Sequence, residues 1–270
     1  MSKTSSKGTA LITGASSGIG AVYADRLAKR GYDLILVARN AERLNAVASR
    51  IGGETGRAVT VLPADLSDKA DLAKVEAVLR DDPNITVLVN NAGIGSVASI
   101  LQADADEMDS MIALNVTALT RLTYAAAPAF VARGEGTIIN IGSVVGIAAE
   151  MLNGVYSASK AFVISFGHSL QKDLAEKGVR VQSVLPGATA TEFWDIAGYA
   201  PQKTSPITMS AEDAVDAALA GLDKGELVTI PGLHDAEAWE RWEADRRELS
   251  KKFGNAKPAP RYGVKSSAAA

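Results

Sequence analysis

The stretch TALITGASSGIG, residues 9–20, joins a short apolar run to a loop of glycine and small hydroxyl residues. TALIT has the continuous hydrophobicity of a strand that is covered on both faces. Gly14, Gly18 and Gly20 punctuate the turn that follows. Glycine lets the backbone come close to a phosphate group, and the free N–H groups at the start of a helix attract its charge. The stretch therefore predicts a strand–loop–helix unit with a phosphate site.

The glycine spacing is G-x-x-x-G-x-G and differs from the G-x-G-x-x-G of the standard dinucleotide fingerprint. Ser16 and Ser17 add hydroxyl donors to the loop. Turns that bind nothing also need glycine, so an empty structural turn stays open as the alternative.

Outward from this loop, short apolar runs alternate with longer amphipathic stretches along the chain. The runs are residues 9–13, 33–38, 58–62, 85–89, 136–141, 179–185 and 227–230, and the candidate helices lie near 18–30, 40–51, 68–81, 105–132, 157–177, 210–223 and 235–252. Strands that alternate with helices build a parallel sheet with right-handed crossovers. We expect an α/β fold with one doubly wound Rossmann-type domain, in which helices flank a seven-stranded parallel sheet.

Three segments lie outside this alternation. Residues 1–8 read as a polar extension, residues 9–253 as the domain, and residues 254–270, which are small and polar, as a flexible tail. Residues 188–209 are too long for a compact connection and carry aromatic side chains, which favours a lid over a substrate site.

Composition excludes several classes of function. The 270 residues are 47% hydrophobic, carry a net charge of −3 and show no dense basic run, so there is no electrostatic case for nucleic acid. There is no cysteine, which excludes disulfides and thiol chemistry, and two histidines far apart make a metal cluster improbable. The polar start has no signal-peptide core and no run is long enough to span a bilayer, so we expect a cytoplasmic protein without a membrane partner.

Arg39 ends the second apolar run, where dinucleotide-binding folds place the residue that meets the adenosine ribose. A guanidinium there favours the 2′-phosphate of NADP through a bidentate, charge-assisted contact, whereas an acidic residue would favour NAD. Asp65, after the third run, can accept from the adenine amino group. The alternative is a surface arginine that pairs with a local carboxylate.

YSASK, residues 156–160, places Tyr156 and Lys160 on one face if the stretch is helical. Alone, the pairing is hardly distinguishable from chance. Ser143 follows the fifth run, where a turn hydroxyl is the ordinary explanation, and Asn115 lies inside an apolar helical stretch, where a kink or a buried amide would explain it.

Taken together, TGASSGIG (13–20), NNAG (90–93), Asn115, Ser143, YSASK and the PG pair at 186–187 resemble the classical short-chain dehydrogenases/reductases in order and spacing. The resemblance covers residues 9 to 230. It implies strand order 3-2-1-4-5-6-7 and hydride transfer with NADP(H) or NAD(H); together with Arg39 we expect NADP(H) to be preferred and NAD(H) to remain possible.

The resemblance also assigns roles. It implies a catalytic set of Asn115, Ser143, Tyr156 and Lys160, with Tyr156 as acid and base and Asn115 holding a water of a proton relay. We expect Lys160, together with the positive charge of an oxidised nicotinamide, to lower the pKa of Tyr156. The cofactor set is Gly14, Ser16, Ser17, Gly18, Ile19, Gly20, Arg39, Asp65, Leu66, Asn91, Ala92, Gly93, Tyr156, Lys160, Pro186, Gly187, Thr189 and Thr191.

The expected activity is that of a carbonyl reductase or alcohol dehydrogenase acting on a ketone or secondary alcohol. Two alternatives are a non-catalytic NADP-binding regulator and an NADP-dependent epimerase. Subunits of the family pair two long helices, so we expect a homodimer or homotetramer built on 105–132 and 157–177. The expected pocket walls are Ser143, Val145, Met151, Leu152, Phe193 and Trp194.

Overall fold

Seven parallel strands form one sheet in the order β3-β2-β1-β4-β5-β6-β7 in the computed structural model, which describes residues 6–264. The strands are β1 (Thr9–Thr13), β2 (Asp33–Ala38), β3 (Val59–Pro63), β4 (Ile85–Asn90), β5 (Gly136–Ile141), β6 (Val179–Val184) and β7 (Val228–Thr229). The fold class and strand order expected from the sequence are confirmed. The order reverses between β1 and β4, and such folds bind ligands at the carboxyl edge of that switch point.

Nine α-helices are present among the described residues. They are α1 (Gly18–Lys29), α2 (Ala41–Thr55), α3 (Lys69–Asp81), α4 (Ala105–Ile112), α5 (Leu119–Arg133), α6 (Gly154–Leu174), α7 (Phe193–Ile196), α8 (Ala211–Asp223) and α9 (Ala236–Ser250). None of the described helices is long and apolar enough to cross a bilayer. The cytoplasmic location stays a prediction.

Both faces of the sheet are covered. Along β1, Ala10 and Ile12 join a core with side chains of α1, α2 and α8, whereas Leu11 joins a second core with those of α3, α5 and α6. Successive strand residues point to opposite faces, so most positions of a strand that is covered on both sides are apolar. This explains why the strands read as continuous apolar runs.

The helices differ from the sequence expectation at three places. The predicted helix over 105–132 is α4, a π-helical turn (Ala113–Ala118) and α5, and α6 begins at Gly154 instead of 157. The 188–209 segment, expected as a loop, contains α7 and a 3-10 turn (Ala200–Thr204).

Two compact units divide the chain, one ending at Gly232 and the other beginning at Leu233. The predicted domain of residues 9–253 crosses this division, so its boundaries stay a prediction. The predicted tail, 254–270, contains a 3-10 turn (Pro260–Tyr262), and residues 265–270 lie outside the described residues, as do residues 1–5 of the predicted extension.

Candidate active site

The glycine loop is tightly folded between β1 and α1. Gly14 and Gly18 have φ of +65° and +53°, in the left-handed region that favours glycine. A Cβ on Gly20 would collide with the carbonyl oxygen of Gly14. The spacing of the three glycines is therefore required by this loop conformation, whether or not a ligand is bound.

Residues at the end of β4 hold the loop from the neighbouring strand. The Thr13 hydroxyl accepts from the backbone N–H groups of Asn91 and Ala92 at 2.9 and 3.0 Å. The Asn91 amide donates to the carbonyl oxygens of Thr13 and Gly14 at 2.9 and 3.2 Å. Asn91 therefore fixes the backbone at the start of the glycine loop. Thr13 is a positioning residue that sequence reasoning missed. Its signal was a hydroxyl at the end of β1, opposite the end of β4.

The start of α1 fits a phosphate group. Asn40, Asp68 and Asn153 cap α2, α3 and α6 by accepting first-turn N–H groups. Ser17 makes no such side-chain bond at α1 within the described residues, and the first turn of α1 has no acidic residue. The backbone N–H groups at the start of α1 can therefore donate to an anion, which is the arrangement that binds a dinucleotide pyrophosphate. Ser16 and Ile19 lie half-buried in the same loop.

The residues predicted to meet the adenosine of the cofactor follow β2 and β3. Arg39 is exposed directly after β2, and the described residues contain no carboxylate in ion-pair distance of it. The alternative of a local salt bridge therefore loses its support. The Asp65 carboxylate accepts from the N–H of Ser67 at 2.9 Å, and Leu66 is buried beside it.

Ser143, Tyr156 and Lys160 come together at the carboxyl end of β5. All three are buried, and Ser143 lies close enough to the Tyr156 phenol to affect its pKa. The Lys160 ammonium donates to the carbonyl oxygen of Ile141 at 2.9 Å and lies 5.7 Å from the centre of the Tyr156 ring. The structure thus places Tyr156 and Lys160 on one side of α6, next to the end of the strand that precedes Ser143.

Burial controls the pKa of both titratable groups. It raises the pKa of Tyr156, and the nearby Ser143 side chain offsets only part of that rise. It also lowers the pKa of Lys160 to about 8, because a buried ammonium loses its hydration. The lowering of the Tyr156 pKa expected from Lys160 together with an oxidised nicotinamide concerns the protein with bound cofactor and stays a prediction.

Asn115 lies in the π-helical turn between α4 and α5. Its amide makes two bonds to the backbone of Ile94, accepting from the N–H at 3.0 Å and donating to the oxygen at 2.8 Å. It also donates to Ser159, whose hydroxyl donates to the carbonyl oxygen of Tyr156. Single π-helical turns within α-helices often mark functional sites. Gly93 lies beside it: a Cβ there would be 3.1 Å from the Asn115 oxygen and 3.6 Å from the Lys160 nitrogen.

The residues after β6 close the site on the other side. The carbonyl oxygen of Pro186 accepts from the N–H of Val144 and the hydroxyl of Ser143 at 3.2 and 3.3 Å. Gly187 is exposed, and its carbonyl accepts from the Thr189 hydroxyl. Pro186 therefore orients Ser143.

Only part of the expected pocket wall forms one cluster. Val145, Leu152 and Phe193 pack with Tyr156, and the Phe193 ring lies 5.5 Å from the Tyr156 ring. Trp194 is buried, donates to the Thr189 carbonyl and meets the Phe193 ring edge-on, so it supports Phe193. Met151 is 62% exposed and is not part of this cluster.

Asn153 is a second residue that sequence reasoning missed. The oxygen of its side-chain amide, Oδ1, caps α6 by accepting from the backbone N–H groups of Val155 and Tyr156 at 2.9 and 3.2 Å. Its amide nitrogen donates to the carbonyl oxygen of Ala98 at 2.6 Å. The side chain thus connects the backbone of Tyr156 to the loop after β4. The sequence carried a signal for this role, because Asn is a favoured N-cap residue and Asn153 lies three residues before Tyr156, near the start of a helix.

Comparisons with known proteins agree with this arrangement. The family model described as short chain dehydrogenase matches residues 8–198. A short-chain dehydrogenase from Sphingobium yanoikuyae, solved in complex with NADPH, is 50% identical with a TM-score of 0.92, covering 94% of this chain and 100% of that one. The bulky-bulky ketone specific alcohol dehydrogenase from Comamonas testosteroni is 45% identical with a TM-score of 0.88, over 96% and 99% of the two chains.

A curated relative has a longer chain. The very-long-chain 3-oxoacyl-CoA reductase of Anas platyrhynchos is 36% identical over 204 residues, which is 74% of this chain but only 65% of that protein. With the family model, the shared fold and the buried Ser143–Tyr156–Lys160 group together, the chain is an oxidoreductase that belongs to the short-chain dehydrogenase family.

Proposed function

We propose that the protein is an NADPH-dependent carbonyl reductase, or alcohol dehydrogenase in the reverse direction, with Tyr156 as acid and base. The observation that carries this proposal is the buried group in which the Ser143 hydroxyl meets the Tyr156 phenol, with Lys160 beside the same ring. When bound, NADPH supplies the hydride that adds to the carbonyl carbon. The protein must therefore supply a proton to the carbonyl oxygen and hold that oxygen in place.

Tyr156 is suited to the proton transfer in the direction of reduction. Because burial raises its pKa, the phenol keeps its proton at neutral pH and can donate it to the carbonyl oxygen as negative charge develops there. The Ser143 hydroxyl can donate a hydrogen bond to the same oxygen. The tyrosinate left behind is stabilised by the Lys160 ammonium and regains a proton from it or through it. A lysine pKa of about 8 allows that exchange near neutral pH.

The remaining assignments of the catalytic and cofactor sets belong to the same proposal. Asn115 holds the loop after β4 and the start of α6 in register, and the water of the proton relay would be its further role. The phosphate of NADPH would lie on the glycine loop and the start of α1, with Arg39 at the 2′-phosphate. The solved relative in complex with NADPH supports this choice of cofactor.

The substrate we propose is a ketone with an apolar group on each side of the carbonyl. Val145, Leu152 and Phe193 pack around Tyr156 and give it apolar surroundings. Similarity to an alcohol dehydrogenase specific for bulky-bulky ketones supports the same class.

The test is NADPH oxidation by the full chain, measured at 340 nm, with a panel of bulky ketones, small ketones, aldehydes and acyl thioesters. We expect turnover that is fastest with bulky ketones. Tight NADPH binding without turnover of any carbonyl would contradict the proposal and favour the non-catalytic regulator.

Cofactor preference is tested by Arg39→Asp. The substitution removes a charge-assisted contact and places a carboxylate where the 2′-phosphate would lie, so the ratio of kcat/KM for NADPH to that for NADH should fall about tenfold or more. Arg50→Asp, in the third turn of α2 and away from Arg39, is the control and should leave the ratio unchanged. An unchanged ratio in Arg39→Asp would mean that another residue reads the phosphate.

We further propose a homodimer or homotetramer in which α5 and α6 form the contact. Tyr124 on α5 is 67% exposed and stacks on Phe166 of α6, with ring centres 6.4 Å apart, and Phe166 stacks on Phe162 at 5.3 Å. A row of aromatic rings on adjacent helices is the kind of surface that subunit contacts bury.

A further inference from the structure

Three consecutive residues of the 188–209 segment reach three different parts of the proposed site. The side chain of Thr191 lies against Gly18 of the glycine loop, 3.1 Å from where a Cβ would be. Glu192 accepts from the Arg43 guanidinium on α2 at 2.6 Å. The Phe193 ring covers Gly95 and lies against Tyr156. Residues 191–193 therefore extend from the pyrophosphate end of the site to the catalytic tyrosine.

Arg43 connects this segment to the adenosine end of the site. It lies in the first turn of α2, where its backbone N–H donates to the capping side chain of Asn40 at 2.9 Å. Arg39, the proposed 2′-phosphate ligand, directly precedes that cap. The ion pair thus joins the helix that starts at the adenosine side to the segment that covers Tyr156, across 149 residues of sequence.

The far ends of the segment are held by backbone bonds. Ala190 donates to Met209 at 2.8 Å, and Met209 donates to Ala188 at 2.9 Å, so the two ends form a short parallel bridge. Inside the segment, the Trp194 indole donates to Thr189. Beyond this bridge, the bond that Arg43 donates to the Glu192 carboxylate is a charged contact that holds the segment against α2.

We propose that Arg43 and Glu192 are positioning residues whose ion pair, here called the latch, holds residues 191–193 over the bound dinucleotide. The latch slows cofactor release and keeps Phe193 against Tyr156. This inference rests on the proposed NADPH-dependent function, because the latch acts on the proposed cofactor site.

The expected effect is modest and depends on salt. The two side chains are 53% and 46% exposed, and exposed ion pairs contribute little because water and salt screen them. Breaking the latch should therefore speed NADPH dissociation about two- to fivefold at low salt. The difference from wild type should disappear near 1 M salt.

Glu192→Gln is the decisive variant because the alternative predicts the opposite sign. If Glu192 were merely a carboxylate near the phosphates, removing its charge would relieve repulsion and slow NADPH dissociation. If the latch holds the segment closed, the same change speeds dissociation. Arg43→Gln should speed it too, and the double variant should be no faster than the faster single variant, since both remove one interaction.

The measurement is the NADPH dissociation rate of the full chain, followed by stopped-flow fluorescence of the nicotinamide in the absence of ketone. The charge-reversed pair Arg43→Glu with Glu192→Arg should recover part of the wild-type rate. The control is the ion pair Arg30–Asp223, bonded at 2.8 Å with 36% and 56% exposed side chains between α1 and α8. Arg30→Gln and Asp223→Asn should leave the rate unchanged.

The latch is refuted if Glu192→Gln leaves the dissociation rate unchanged or slows it, if the two single effects add, or if the control variants change the rate equally. Failure of the proposed function would be seen in a different measurement. If the variants change NADPH dissociation as predicted but the wild-type protein reduces no carbonyl, the proposed function is contradicted and the latch is still supported.

Discussion

At the scale of single residues, desolvation decides the chemistry at the centre of the site. Tyr156 and Lys160 are both buried, so each is driven toward its neutral form: the phenol keeps its proton and the ammonium loses one more easily. The sequence places the two groups on one helical face but does not show how much water each retains. In the protein by itself burial raises the Tyr156 pKa, and the lowering expected from Lys160 together with an oxidised nicotinamide stays a prediction.

The cost of burying Lys160 predicts a stability that depends on pH. In the folded protein its pKa is lowered to about 8 from 10.5, so the unfolded chain binds more protons between these values and stability rises with pH there. Below about pH 8 the buried ammonium is charged, and its cost, at most about 3 kcal/mol, is fully present. Lys160→Met should therefore raise the free energy of unfolding at pH 7 relative to wild type.

Urea denaturation of the cofactor-free protein at pH 7 and pH 10 measures this effect. The advantage of Lys160→Met should shrink at pH 10, where wild type folds with a neutral lysine. The lost bond to Ile141 lowers both values alike, so the difference between the two pH values carries the prediction. An advantage that is equal at both would contradict it.

At the scale of elements, α6 positions Tyr156 and Lys160, the side chains proposed as catalytic, and Asn153 caps the start of this helix. Asn153→Ala removes the cap of α6 and the bond to Ala98, which should cost about 1–2 kcal/mol and also lower kcat, because Tyr156 is the residue that the cap holds. Thermal unfolding and steady-state kinetics measure the two effects.

Asp68→Ala provides the matched control for this prediction. It removes the cap of α3, where Asp68 accepts from the N–H groups of Ala70 and Asp71 at 2.9 Å. The stability loss should be similar, and kcat should not change. Equal losses of kcat in both variants would mean that Asn153 acts only through overall stability.

The elements themselves were largely predictable, and their local deviations were not. Hydrophobic runs locate the strands because both faces of the sheet are buried, and β1, β2 and β5 have the predicted limits. The π-helical turn at Asn115 keeps an apolar helical pattern, so periodicity does not reveal it. The pairing of Arg43 with Glu192 joins residues far apart in sequence, which no local pattern reports.

At the scale of the whole molecule, the aromatic row on α5 and α6 predicts the assembly. Sedimentation velocity should show a dimer or tetramer for wild type and a smaller species for Tyr124→Glu, because a buried carboxylate without a partner opposes association. Tyr262→Glu changes a tyrosine of similar exposure, 64% against 67%, in the second unit and should not alter the mass. Monomeric wild type would contradict the proposed contact.

The central claim is that the Tyr156 phenol transfers the proton, and Tyr156→Phe tests it most directly. The variant keeps the ring that packs with Phe193 and removes only the hydroxyl. We predict that kcat for a bulky ketone falls about 10²–10⁴-fold while the Kd for NADPH, measured by fluorescence, stays that of wild type. Turnover that remains within about tenfold of wild type would contradict the account, because another group would then have to supply the proton.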